Sequence, residues 1–212
     1  MENAMRAYRT VAPDGGGESF YEDRKSQFFG FAVHAGSAEE AIEFRHSVIA
    51  RIPDASHYVS AWVLADGSEF HSDAKEPRGT AGMPVLKVLK GADVADTACV
   101  VARIFGGTLL GKGGLVRAYS KAAADALSAS CIVMRAPCQL VEAVVPYPLY
   151  EPLERRVADW GAQVDGVDFA EAVTLHLSAP VELVEALVNS VRDFSSGRAT
   201  CALGSQEMRF LS

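Results

Sequence analysis

The chain has 212 residues, carries 20 Lys and Arg against 27 Asp and Glu for a formal charge of −7, and is 49% hydrophobic. That length holds one large or two small domains with cores of their own. The acidic sign excludes a globally basic nucleic-acid binder, and the apolar fraction excludes a disordered chain. The N-terminus has no signal-peptide core and nowhere do about 18 apolar residues run together, so a cytoplasmic protein without a membrane partner is expected.

Residues 1–18 are polar and carry Gly15-Gly16-Gly17, which reads as a flexible leader. Gln27 to His34 is aromatic and β-branched, a strand. Ser37-x-x-Glu40 is a capping box opening a helix with Ala41, Phe44, Val48 and Ile52 on one face, closed by Pro53. His57 to Leu64 alternates as a strand, and Asp66-Gly67 fits a tight turn into a second strand at Glu69 to Ser72. Asp73 to Gly82 is a loop, after which Thr80 is placed to cap a helix holding Val85, Leu86, Val88 and Leu89 and stopped by Gly91. Thr97 to Phe105 is a buried strand that runs into the glycine loop 106–114, and a helix follows from Leu115 to Ser128. After a strand at Ile132 to Arg135, Pro137 marks a linker, and the order strand, helix, strand, strand, helix, strand from Cys138 onward is the ferredoxin-like split βαβ plan. Cys99, Cys131, Cys138 and Cys201 form no CxxC pair and lie in apolar segments, which reads as buried thiols. No metal or cofactor is expected.

Charge is unevenly spread. Residues 1–71 carry −5 and residues 138–212 carry −6, while 72–121 carry +4. The basic stretch holds the unit most able to bind an anion: a strand ending in a glycine loop that feeds a helix N-terminus, where backbone N–H groups and the positive dipole end face one place. Gly106, Gly107, Gly111, Gly113 and Gly114 with Arg103, Lys112, Arg117 and Lys121 are the candidate phosphate or nucleic-acid residues, four cations able to approach one phosphate. Gly113 follows Lys112 where a P-loop needs Ser or Thr, so an NTPase of that type is excluded. Asp73, Glu76 and His57 are weak candidates for a catalytic acid/base site. Their bland alternative is that the acids bond loop amides and His57 is an ordinary strand histidine.

The motifs Lys25-Ser26-x-Phe28, Ala55-x-His57, Glu76-Pro77-x-Gly79-Thr80-Ala81-Gly82-x-Pro84 and Arg103-x-Phe105-Gly106-Gly107-x-x-Leu110-Gly111-x-Gly113-Gly114-Leu115-Val116-Arg117-Ala118-Tyr119 together resemble the IMPACT family, in its bacterial YigZ-type branch. The resemblance implies an α+β protein: residues 19–136 as an IMPACT-type domain with the left-handed β-α-β topology of RNase PH and elongation factor G domain IV, then residues 138–212 as a ferredoxin-like βαββαβ domain similar to domain V of that factor. Eukaryotic members regulate translation, and no enzymatic activity is secure for the family. The sequence departs from the family pattern at Ala74-Lys75, where Asp-Gly is common, and at Ile104, where an aromatic is usual.

The leading expectation is a non-enzymatic protein that binds RNA phosphate through the glycine loop, with RNA, the ribosome or a translation-associated protein as partner. One alternative is an enzyme acting on a phosphorylated or nucleotide substrate with Asp73 or Glu76 as acid/base. Another makes the C-terminal domain a protein-interaction module.

Overall fold

A computed structural model describes residues 6–211, in two compact units, Tyr8–Met134 and Arg135–Leu211. The first unit begins with β1 (Tyr8–Val11) and is built on a five-stranded sheet. Its strands are β2 (Gly17–Asp23), β3 (Ser26–His34), β4 (His57–Val63), β5 (Glu69–Ser72) and β6 (Thr97–Ile104), in the order β2-β3-β6-β4-β5 with every pairing antiparallel. Between them come α1 (Ala38–Arg51) and α2 (Gly82–Gly91), and α3 (Gly111–Ser128) follows β6.

The central strand β6 explains the layering. Residues that alternate along a strand point to opposite faces. Cys99 and Val101 join Phe28, Val85, Leu89 and Tyr119 in the core beneath α2 and α3, while Val100 and Ala102 pack with Phe31 and Val48 beneath α1. A strand buried on both faces reads as the continuous apolar run ACVVA. Burial pushes the Cys99 thiol up to about 12, as for an inert core hydrophobe. Cys138 is also buried and Cys201 partly so, but Cys131 is exposed, correcting the expectation of four buried thiols. It sits in the turn after α3, its backbone paired with Ala12 and Gly15.

The Ser37 half of the capping box is present, its hydroxyl accepting from the Glu40 amide at 3.2 Å, while the Glu40 carboxylate reaches one residue past the cap and accepts from Gly36 N–H at 2.7 Å. Gly67, at φ +88°, turns β4 into β5, where Trp62 and Phe70 stack at 4.1 Å. Two further turns use left-handed residues that are not glycine. Arg24 and Lys25 (φ +49° and +66°) join β2 to β3, and Ala74 and Lys75 (φ +47° and +70°) turn the loop after β5, closed by the Glu76 amide donating to Asp73 O at 2.9 Å.

Four expectations are corrected. Within the supposed flexible leader, residues 8–11 form β1 and residues 17–18 begin β2; β1 is tied down by the Ala95 amide donating to Arg9 O at 2.9 Å. The first five residues lie outside the described range. Thr80 does not cap α2: its hydroxyl donates to Pro77 O at 2.6 Å, and Ala81 is the N-cap. The helix after the glycine loop starts at Gly111, not Leu115, because burying Leu115, Ala118, Tyr119, Ala122 and Ala126 against the sheet stabilises a helix whose first turn contains glycines. Finally, Pro137 is no break, since β7 (Ile132–Val145) runs through it.

The second unit follows the expected βαββαβ order. After β7 come α4 (Tyr147–Val157), β8 (Gln163–Phe169), β9 (Val173–Pro180), α5 (Val184–Phe194) and β10 (Thr200–Leu211), with strand order β10-β7-β9-β8. Its core gathers Val141, Val145, Leu153, Leu175, Leu177, Leu187 and Val191. No described helix is long and apolar enough to cross a membrane.

Candidate functional site

Arg103, one residue before the end of β6, lies on the α3 side of the sheet and is buried. A guanidinium inside a core needs a partner, and Glu76 supplies it: Arg103 Nη1 donates to Glu76 Oε1 at 2.6 Å, with side chains only 5% and 4% exposed. Tyr119 Oη, from α3, donates to the same oxygen at 2.8 Å. Burial, then the Glu76 charge, pushes the Tyr119 phenol far up, so it stays a donor. His57, at the start of β4, donates from Nδ1 to Ala74 O at 2.8 Å, and its Nε2 stands 3.7 Å from Glu76 Oε1. Arg103 Nη2 donates to the Ser26 hydroxyl at 3.2 Å, and that oxygen also accepts from Gly106 N–H at 3.1 Å. The guanidinium lies over the rings of Phe28 (5.4 Å) and Phe105 (5.5 Å), and its Nε is buried without a hydrogen-bond partner. All four family motifs therefore contribute to one network around Glu76 and Arg103 that ties the loop after β6 to the start of β3.

Asp73 does not join it. Its carboxylate caps α2 from outside the helix, Oδ2 accepting from Gly79 N–H at 2.7 Å and Oδ1 from Ala81 and Gly82 N–H at 3.0 and 2.8 Å. Burial pulls the Asp73 carboxyl up, but the amide bonds and the nearby His71 outweigh it and hold it below the usual range. Of the weak catalytic candidates, Glu76 and His57 come together while Asp73 binds backbone. Both carboxylates are engaged in structural bonds: Asp73 bonds loop amides, as the bland alternative has it, whereas Glu76 bonds the side chains of Arg103 and Tyr119 instead. Among the described residues, no group of three or more His, Cys, Asp or Glu is arranged to hold a metal ion.

The four expected cations do not converge. Arg103 is buried and neutralised, and Lys121 pairs with Asp125 at 2.7 Å while lying over the Tyr21 ring at 5.6 Å. Lys112 and Arg117 are exposed and, among the described residues, stand in none of the ion pairs. Two cations that sequence counting assigned to an acidic segment take the vacated places. Arg24 donates from Nη1 to Leu109 O at 3.2 Å, and Lys25 belongs to the turn pressed against Gly106, where a Cβ would sit 2.1 Å from the Lys25 carbonyl carbon. Arg117 folds back along the first turn of α3, with Nη1 3.6 Å from where a Gly113 Cβ would stand. Arg24 and Lys25 thus lie in the turn packed against this loop, while Lys112 and Arg117 belong to the start of α3 that it feeds.

Glycine has three uses here. Gly106 permits the close approach to Lys25; Gly107 and Gly111 adopt φ +82° and +70°; and Gly113 and Gly114 sit in the first turn of α3, which has no side-chain cap and no acidic residue. No acid occurs between Asp96 and Asp125. Phe105 (44%) and Leu109 (80%) are exposed on the same loop. Sequence reasoning missed Arg24, Phe105 and Leu109; the Lys25-Ser26-x-Phe28 motif was the one available signal that the β2–β3 turn belongs here.

The Impact N-terminal domain model matches residues 24–127, and that of a domain of unknown function, DUF1949, matches 144–198. The chain is 33% identical over 180 residues to the IMPACT family member YigZ of Escherichia coli, covering 83% of this chain and 88% of that protein. It is 30% identical over 205 residues to the IMPACT family member YvyE of Bacillus subtilis, covering 92% and 94%. The crystal structure of a hypothetical protein, 30% identical, superposes with a TM-score of 0.61 over 96% of this chain and 100% of that one.

Proposed function

The chain belongs to the IMPACT family, and from that premise we propose that it is a non-enzymatic cytoplasmic protein that binds RNA phosphate, acting on the translation machinery. The observation that carries this reading is an acid-free loop with Arg24 and Lys25 in the turn packed against it and Lys112 and Arg117 at the uncapped helix N-terminus it feeds. In fold terms we take the first unit as the left-handed β-α-β type of RNase PH and elongation factor G domain IV, and the second as ferredoxin-like, like domain V. The two-faced antiparallel sheet and the strand order β10-β7-β9-β8 support this. The enzymatic alternative has less support, because its acid/base residues Asp73 and Glu76 are both occupied by structural hydrogen bonds.

The test is the affinity of the full chain for a fluorescein-labelled 12-nucleotide single-stranded RNA, measured against salt. Four phosphate contacts at about −0.7 each give a log–log slope of about −3. Lys112→Glu with Arg117→Glu should lower affinity and flatten the slope, whereas Arg155→Glu, on α4, should do neither. A flat slope, or a double variant that binds as wild type does, overturns the proposal.

A further inference from the structure

We infer that this surface is built for unpaired RNA, with Phe105 as a platform on which a base stacks, rather than for duplex or for a bare polyanion. The inference rests on the phosphate-binding reading above and adds the class of nucleic acid. Four cations would suffice for an anion. What they do not explain is the apolar material on the same loop: Phe105 and Leu109 are exposed, Leu109 with its carbonyl held by Arg24 and Phe105 next to Gly106, which packs on the Lys25 backbone. A ligand made only of phosphate leaves that apolar area in water. A duplex presents phosphates outward and keeps its base faces stacked on one another, out of reach of a side chain. Unpaired RNA supplies both complements, phosphates for the cations and a π-face for the ring.

The ring is also held in place before any ligand arrives. The Arg103 guanidinium lies 5.5 Å from the Phe105 centroid, and Arg103 is fixed by Glu76 at 2.6 Å and Ser26 at 3.2 Å. Ser26 further binds Gly106 N–H, the residue next to the ring. A platform pinned through its neighbour loses little freedom on binding, which favours stacking. Arg103, expected from sequence to touch phosphate, acts on this reading as the positioning residue for Phe105.

The test compares a 12-nucleotide single-stranded RNA of mixed sequence, the same sequence as a blunt duplex, inorganic polyphosphate of equal charge, and a poly-glutamate peptide, all by competition at one salt concentration. Wild type should prefer the single strand by about tenfold over the other three. Phe105→Leu keeps apolar cover over Arg103 but has no π-face; it should lose about tenfold for the single strand only, with an unchanged salt slope, and Phe105→Trp should bind at least as well as wild type. Equal affinity for single strand and duplex, with Phe105→Leu silent, overturns the stacking inference while the salt-dependent phosphate reading stands. Poly-glutamate binding as tightly as the single strand overturns the choice of nucleic acid. If no probe binds, both readings fall together.

Discussion

Glu76 offers the sharpest test of how the first unit is held together. In Glu76→Ala the Arg103 guanidinium stays buried with no counter-charge, and the Tyr119 hydroxyl loses its acceptor. Breaking a buried ion pair from one side costs about 3–5 kcal/mol, and an orphaned buried donor about 1–3 kcal/mol. Because both bonds land on one oxygen the terms overlap, and a total of about 4–5 kcal/mol is expected. Glu76→Gln keeps an acceptor but not the charge and should cost about 3 kcal/mol. The double variant Glu76→Met with Arg103→Met removes the stranded charge and should be less destabilised than Glu76→Ala. Urea titration in a Trp160→Phe background makes Trp62 the sole tryptophan, so that fluorescence follows the first unit alone. A cost below about 1 kcal/mol for Glu76→Ala, or a double variant worse than the single, refutes the reasoning.

The Asp73 cap titrates. Asp73→Asn should cost about 1–2 kcal/mol near neutral pH, since an amide nitrogen cannot accept from Gly79 N–H. The folded carboxyl lies below its ordinary value, so its contribution is present above about pH 4 and disappears as pH falls through the lower folded value; urea midpoints of the two proteins that keep the same gap down to pH 2 would contradict this. Lys75→Gly places glycine at φ +70° and should raise stability by about 1 kcal/mol, read as a higher midpoint with unchanged m. Gly106→Ala drives a methyl to 2.1 Å from Lys25 and should cost about 2 kcal/mol or more, whereas Gly113→Ala meets only Arg117 Nη1 at 3.6 Å and should shift stability by less than about 1 kcal/mol. Equal thermal shifts for the two alanines would count against the packing described for Gly106.

Most elements could be read from local pattern. The Ser37 box, the Asp66-Gly67 turn and the apolar run of β6 depend on neighbours in sequence, and the structure has them near their expected positions. The site was legible only in part, because its parts meet through pairings between distant strands. Arg103 faces Phe28 only because β3 and β6 pair with Phe28 opposite Arg103, and His57 reaches the same end because β4 also pairs with β6 there. Segment charge cannot reveal that Glu76 cancels Arg103, nor that a turn counted as acidic brings Arg24 and Lys25 to the loop. Thr80 looked like a cap because it directly precedes the helix, but a carboxylate eight residues upstream of Ala81 reaches its amide.

The β2–β3 turn has an evolutionary consequence. Arg24 and Lys25 occupy left-handed positions where Asn-Gly is conformationally preferred, so each exposed cation sits on backbone it does not favour. Selection for thermal robustness alone would drift this pair toward Asn-Gly, removing half of the charge around the loop without disturbing the β2–β3 pairing. Selection for ligand capture would hold it. The dipeptide is therefore a place where the two pressures separate, and lineages that have drifted to Asn-Gly should be those that have abandoned the surface.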